Sequence, residues 1–600
     1  MISVQQSGDI YNIRSPYDPN FIALVKSVPG RSWNPDTKVW TIHKDKLGFF
    51  INIVRGTKYE SQIEIKSIEK LNENANIETT DEIPDIDLSG VSLYVQKGSK
   101  LFEHQLDFMR FAIARQNKGN MSGFLTADEA GLGKTLEGTN LALYNKEHNG
   151  FKHCLIICCV NSAKYNWQSD IKKHTNGEYE GYILGSRKRK NGDSFDPGKN
   201  EYRLADLKTK TSYRGKSELP YFIITNIESI RYRKGKYYPI ASQIIEMINK
   251  GEINMIILDE VHKNTSPSSL QGKQLLSIKN KTGNKAMWIP MTGTPITKKP
   301  TDVFLPLKLI DGHNFTNYFS WCQQFCVYGG YGGYEIVSYK NIPFLKTILQ
   351  GNMIRRLKSE VLDLPPKMYH EEYVELTDKQ RKIYDNVLRD VIDQREEIVE
   401  SLNPLVKLLR LRQVCGSPEI IESSVMGSNY FAYNAKIVRL LELVDEIVAN
   451  NEKVVIFSNW VEPLRTLYKY VSKNYKVCYY TGTMKDSDRE DNKRRFQNDP
   501  EYKVMIGTVG ALGTSHTLTA ARNVIFYDEP SVPTDKEQAE DRVHRVGTTG
   551  TVNIYTILAK DTIDERIHQL CYDRATMAKY IVDNKLDIKN NPEIFDMLIS

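Results

Sequence analysis

Residues 123–138 read GFLTADEAGLGKTLEG: an apolar stretch, a short turn holding two glycines, and then a helical pattern. A strand that feeds a helix through such a turn makes a phosphate cradle, because the first N–H groups of a helix have no intrahelical partner and point at an anion. Gly131 and Gly133 let the backbone turn those groups inward, Lys134 supplies a mobile positive charge for the β and γ phosphates, and the Thr135 hydroxyl suits Mg²⁺. Asp128 stands where the general pattern has its first glycine. The motif points to ATP, and it constrains the fold, since a strand-loop-helix of this kind belongs to a parallel sheet.

The surrounding pattern agrees. From about residue 98 to 311, the short apolar runs CLIICCV, YFIITN, MIILDE and AMWIPMTG alternate with longer amphipathic segments. Residues 431–600 repeat the pattern with VVIFSN, KVCYYTG, VMIGT and NVIFYD. The fold class is therefore α/β, with two parallel-sheet lobes. Residues 312–430 read as a helical bridge between them, with Thr377 and Gln380 forming a capping box. Residues 1–58 form a small module rich in aromatics, and the polar, acidic stretch 59–97 reads as a linker.

Two further segments bear on phosphate chemistry. MIILDEVH is a buried strand ending in adjacent carboxylates, where a parallel sheet presents its functional groups; Asp259 suits Mg²⁺ and Glu260 suits water activation. In QAEDRVHRVG, Arg542 and Arg545 lie three apart and share one face if the segment is helical. Arginines from a second lobe could stabilise charge on a transferred phosphoryl group only when the lobes close, which would couple hydrolysis to motion.

Charge and composition set outer bounds. The formal charge of +7 is mild, but basic residues cluster at RKRK (187–190), at Lys208, Lys210, Arg214 and Lys216, and at RYRKGK (231–236), where they could neutralise phosphates. The eight cysteines contain no CxxC pair, so neither disulfides nor zinc are expected. The chain has no apolar run of membrane-spanning length, and its start, MISVQQSGDI, lacks a secretory pattern, so an intracellular, soluble protein is expected.

Taken in order, LFEHQ, DEAGLGKT, NSAKYNW, DEVH, MTGTP, MIRRLKSEVLDLPPK, LRQVCGSP, VVIFSNW, LTAARNVIFYD and QAEDRVHRVG resemble the Swi/Snf branch of the superfamily 2 helicase-like ATPases. The resemblance spans about residues 100 to 570, and Asp128 in the phosphate loop is typical of this branch. It implies RecA-like lobes, ATP with Mg²⁺, and a translocase that tracks duplex DNA by opening and closing. It further implies that Gln105 contacts the adenine, that Thr292 and Thr294 couple nucleotide to DNA, and that Asn166 and Trp167 belong to a DNA-facing segment. The sequence departs from the family at GTVGALGTSHTLTAA, which lacks the usual glycine-rich form, and at Thr548, where glutamine is common.

The amino-terminal segment ALVKSVPGRSWNPDTKVWTI resembles the HARP module of annealing helicases through Pro29, Gly30, Arg31, Trp33, Asn34, Pro35, Lys38 and Trp40. Arg31 and Lys38 beside tryptophans could grip a DNA junction by charge and stacking, while the same tryptophans could simply fill a small core. The expected function is an ATP-driven translocase on double-stranded or forked DNA, in repair or fork remodelling. Two alternatives stand beside it: a strand-separating helicase on DNA or RNA, and a non-catalytic DNA-binding scaffold with a regulatory nucleotide site.

Overall fold

The computed structural model describes residues 85–393, 405–422, 430–512 and 518–583 apart from short loop stretches, together with most of residues 2–59. The chain forms two compact units, Met1–Leu357 with the chain from Met577 onward, and Lys358–Thr576.

In the first unit, β1 (Ser3–Ser7), β2 (Ile10–Arg14), β3 (Ser32–Asn34) and β4 (Val39–His43) make an antiparallel sheet in the order β1-β2-β4-β3, with helix α1 (Pro19–Ser27) on it. This small layer does not stand apart from the rest of its unit. α1 packs on the helix Tyr318–Phe325, and Phe21, Val25 and Phe50 join the same apolar cluster as Trp321, Phe325 and Phe344.

The larger sheet begins after helix α2 (Glu103–Asn117) with β5 (Leu125–Thr126), which leads into helix α3 (Lys134–Asn149). Strand β6 (Cys154–Cys158), helix α4 (Ala163–His174), and strands β7 (Gly181–Ile183), β8 (Phe222–Asn226), β9 (Met255–Asp259), β10 (Met287–Pro290) and β11 (Met353–Ile354) follow. Five strands run parallel in the order β10-β9-β6-β8-β7. β11 pairs in parallel with β5, and bridges from Gly123 and Thr126 join that pair to Trp288 and Met291 at the β10 edge. Every residue of β6 and β8 is buried, as expected where helices cover both faces of a parallel sheet. Their unbroken apolar runs are the reason the sequence pattern is so clear.

The second unit holds six parallel strands: β12 (Lys367–Val374), β13 (Val454–Ser458), β14 (Lys476–Tyr480), β15 (Tyr502–Thr508), β16 (Asn523–Phe526) and β17 (Val552–Ala559), ordered β12-β17-β16-β13-β15-β14. Two parallel α/β sheets are thus present.

The described residues of 312–430 fall in both units. The ladder between β11 and β5 draws residues up to 357 into the first unit, while the eight-residue ladder between β12 and β17 draws the rest into the second. Residues 60–84 of the expected linker lie outside the described residues, and its remainder is packed: Ile86, Leu88, Val91 and Leu93 lie on the first unit's core. Asn140 of α3 clasps that segment, its Oδ1 accepting from Tyr94 N at 2.7 Å and its Nδ2 donating to Tyr94 O at 3.0 Å.

An ion cluster secures the start of the second unit. Lys358 Nζ lies 2.7 Å and Lys367 Nζ 3.1 Å from Asp541 Oδ1, and the side chains of Lys358 and Asp541 are each 6% exposed. Burial pushes the Asp541 carboxyl up, but Lys367 and Lys358 outweigh it and hold the group down at about 2. The ordinary value is 3.8, so this contribution to stability is complete above pH 3.8 and is lost as pH falls from there to about 2. Lys358→Met should cost about 3 kcal/mol at neutral pH, as breaking a buried pair does, and should shrink the acid-dependent loss. Urea unfolding at pH 7 and between pH 4 and 2 checks both.

Candidate functional site

The turn after β5 delivers the chain to α3 through Gly131 (φ 94°) and Gly133 (φ 98°), a left-handed backbone that side chains other than glycine resist. Gly133 is the N-cap of α3 and no side chain caps it, so the helix start faces the loop. Two residues of α2 hold the loop's shape: Gln105 Nε2 donates to Leu132 O at 3.1 Å, and His104 Nε2 lies 2.9 Å from the same oxygen. A Cβ on Gly133 would meet the end of the Gln105 side chain, which would have to shift, but it is the φ that calls for glycine here. Lys134 points back into the loop, its Nζ donating to Asp128 O at 2.8 Å and Glu129 O at 3.4 Å.

Asp259 ends β9 and Glu260 follows it with φ 53°. A left-handed backbone at a non-glycine residue is costly, and it places the second carboxylate at the sheet's carboxyl edge. Burial, reinforced by Glu260, pushes the Asp259 carboxyl up to about 7, while Trp167 and Lys134 act against that rise. His262 Nδ1 sits 3.2 Å from Glu260 Oε2 and 2.9 Å from Thr292 Oγ1, and Thr292 Oγ1 also accepts from Thr294 N at 2.9 Å. His262 thus stands between the carboxylate pair and the TGT turn, close to Glu260 on one side and hydrogen-bonded to Thr292 on the other. Gly293 closes the turn against the phosphate loop, since a Cβ there would lie 3.0 Å from Ala130 N. The donor set fits Mg²⁺: a carboxylate at Asp259 and a hydroxyl at Thr135 are hard oxygen ligands, and the half-buried carboxylate lacks a full compensating charge.

The two arginines of MIRRLK complete the site, and sequence reasoning assigned them no role. Arg355 Nη1 donates to Ala127 O at 2.7 Å and Gly293 O at 3.0 Å, tying the phosphate loop to the TGT turn. Arg356 donates to Asp128 Oδ1 through its backbone N at 3.0 Å and Nε at 3.1 Å. Its Nη2 reaches Asp128 Oδ2 and also Glu137 Oε1 at 3.0 Å, while Nη1 reaches His104 O. Asp128 and Glu137 are fully buried, and burial, then Asp128, holds the Glu137 carboxyl well above the usual range while Arg356 opposes this. The available signal was an acidic residue on the apolar side of α3, since a buried carboxylate calls for a buried cation.

Of the residues expected to face DNA, Asn166 is exposed on α4, but Trp167 is not. Trp167 is 1% exposed and its Nε1 donates to Asp259 Oδ2 at 2.9 Å, so its ring belongs to the core and its polar edge to the acid pair. Thr292 is buried and Thr294 half-buried. In the amino-terminal sheet Trp33 is 43% exposed and lies beside the buried Trp40, ring centroids 4.8 Å apart. Lys38 is exposed, and Arg31 Nη1 donates to Val28 O at 3.5 Å; Pro29 and Gly30 lie outside the described residues. Arg187 of the RKRK run is buried against Asp206 at 3.3 Å and stacks over Tyr202, so it serves the fold and not the surface; Arg189 and Lys190 lie outside the described residues.

In the second unit the helix Pro533–Glu540 ends before Arg542 and Arg545, which lie half-buried in the turns that follow, so the shared helical face is not formed. The chain turns because its groups find other partners. Arg542 O accepts from Leu518 N at 2.7 Å, and Arg545 N donates to Thr548 Oγ1 at 3.1 Å. Thr548, the departure from glutamine, thereby anchors the backbone of Arg545.

A family model described as the SNF2-related domain matches residues 104–420, and one described as the Helicase conserved C-terminal domain matches residues 435–547. The bovine "DNA annealing helicase and endonuclease ZRANB3" (Bos taurus) is 25% identical over 475 residues, 78% of this chain and 39% of its own length. The Arabidopsis thaliana "ATP-dependent DNA helicase DDM1" is 25% identical over 541 residues, 85% of this chain and 65% of its own. The chain thus spans less than two thirds of either relative. A solved "Sulfolobus solfataricus SWI2/SNF2 ATPase core in complex with dsDNA" is 22% identical, covering 83% of this chain and 96% of that one at a TM-score of 0.36.

Arg356→Met would leave the Asp128 and Glu137 carboxylates facing each other without their cation, with an expected loss of about 3–5 kcal/mol in unfolding free energy. Adding Glu137→Gln should restore part of it, because a neutral amide needs no counter-charge in that buried position. Denaturant unfolding of both variants measures the coupling, and a strictly additive pair would contradict the geometry.

Proposed function

The chain belongs to the SNF2-related family, and from that membership we propose that it is an ATP-driven, helicase-like translocase acting on double-stranded or branched DNA. The observation that carries this reading is the convergence, at one edge of the first sheet, of the phosphate loop with Lys134, the Asp259–Glu260 pair and the TGT turn. ATP would lie on the start of α3 with Gln105 toward its base. Asp259 and Thr135 would hold Mg²⁺, which when bound supplies positive charge beside the phosphates. Lys134 orients the terminal phosphates, Glu260 takes the proton of the attacking water, and Arg542 and Arg545 stabilise the charge that develops on the transferred group. His262 and Thr292 hold Glu260 in register with the TGT turn, so a shift of that turn reaches the water-activating group.

On this reading Asn166, Thr294 and the aromatic and basic residues Trp33, Arg31 and Lys38 meet DNA. The exposed Trp33 and the exposed Lys38 support a HARP-like role for residues 1–58, by stacking and charge. The name of the bovine relative, an annealing helicase, favours repair or fork remodelling as the setting.

Steady-state ATP hydrolysis tests the proposal, measured without nucleic acid and with linear duplex, a model fork, single-stranded DNA or RNA. Duplex or fork should stimulate turnover, and Lys134→Ala should abolish it. Glu260→Gln should retain ATP and DNA binding yet lose about 10²-fold or more in turnover, because the metal ligand survives and the base does not. Arg542→Ala and Arg545→Ala should lower turnover more than ATP affinity. Stimulation by single strands or RNA alone would replace the reading with a strand-separating helicase, and turnover untouched by Lys134→Ala would remove it.

A further inference from the structure

Trp167 lies where the ring of a core residue meets the proposed metal ligand. Its indole is buried in the core between α3 and the sheet. α3 approaches closely at Gly138, where a Cβ would come within 3.2 Å of Trp167 Cη2 and 3.3 Å of Ile257 Cδ1, and would overlap Met291 Cε. The ring is closely packed, and its one polar atom, Nε1–H, donates to Asp259 Oδ2 at 2.9 Å. An indole N–H is a donor only, so it can satisfy a carboxylate but cannot replace one as a metal ligand. The same helix, α4, carries Tyr165 and Asn166 on its exposed side.

We propose that Trp167 is a positioning residue for the Mg²⁺ site: its indole N–H fixes the plane of the Asp259 carboxylate so that a ligand oxygen meets a nucleotide-bound Mg²⁺. This rests on the nucleotide reading given above. Packing alone would be served by any large apolar ring. The hydrogen bond serves the metal, because groups that orient a ligand contribute to metal affinity without touching the ion.

Calorimetric binding of ADP to the full chain, with Mg²⁺ titrated in and with EDTA as the metal-free arm, separates these roles in the wild type and Trp167→Phe. Phenylalanine keeps an aromatic ring and removes the donor. In Trp167→Phe the Mg²⁺ concentration giving half-maximal enhancement of ADP binding should rise by about 10-fold or more, with ADP affinity in EDTA unchanged. An unchanged Mg²⁺ requirement overturns the proposal, as does an equal loss of affinity in both arms, which is the signature of packing alone. A wild type whose ADP binding ignores Mg²⁺ overturns the nucleotide reading itself, and the wild-type arm shows this independently of the variant. Should Trp167→Phe show no cooperative thermal transition, ¹⁵N-indole spectra of the wild type decide. One of the six tryptophan resonances should move when Mg²⁺ is added to the ADP complex, and six unmoved resonances overturn the proposal.

Discussion

A single buried guanidinium organises the first unit. Arg356 meets the carboxylates of Asp128 and Glu137 and the carbonyl of His104, so the phosphate loop, the first turn of α3 and the start of α2 all close on one side chain. The planar fork of arginine suits this, since its donors leave in fixed directions and can serve several acceptors together. The desolvation of three ionisable groups is costly, and attraction offsets it only while the full set is present. That all-or-none character keeps the loop in one shape before any nucleotide arrives. The neighbouring Arg355 ties the loop to the TGT turn through Gly293.

Much of this was legible in the chain. The apolar runs that became β6, β8 and β9 needed no tertiary information, because strands buried on both faces announce themselves by composition. The loop at Gly131 and Gly133 and the carboxylate pair after β9 were readable for a related reason: each is a local exception to the apolar pattern at the end of a strand. Trp167 was not readable in this way. On a helix, neighbouring residues point about 100° apart, so Asn166 can face solvent while Trp167 is buried, and only the partner at Asp259 settles which does which. Arg542 and Arg545 illustrate a second limit, since three-residue spacing implies a shared face only inside a helix, and here the helix has already ended.

The division of the stretch between the sheets was hidden for a third reason. Strands as short as β11 have almost no periodicity to read, and their membership is set by the partner edge they find. The same holds for Leu88 and Val91, which look like isolated apolar residues in a polar linker until they meet the core beside α3. In both cases long-range pairing overrides local composition, which carries no record of the partner.

The position of Lys134 has a consequence for how a ligand enters. With its ammonium already donating to the Asp128 and Glu129 carbonyls, occupation of the loop is an exchange and not an addition. Each ammonium–carbonyl bond given up has one ionised partner, whereas a bond to a phosphate oxygen has two and adds the attraction of opposite charges. A polyphosphate that takes several such bonds at once gains on the exchange, and a small, weakly charged anion does not. The loop's own carbonyls thus act as a built-in competitor, setting an affinity threshold that filters ligands by charge density before any contact with the base is made.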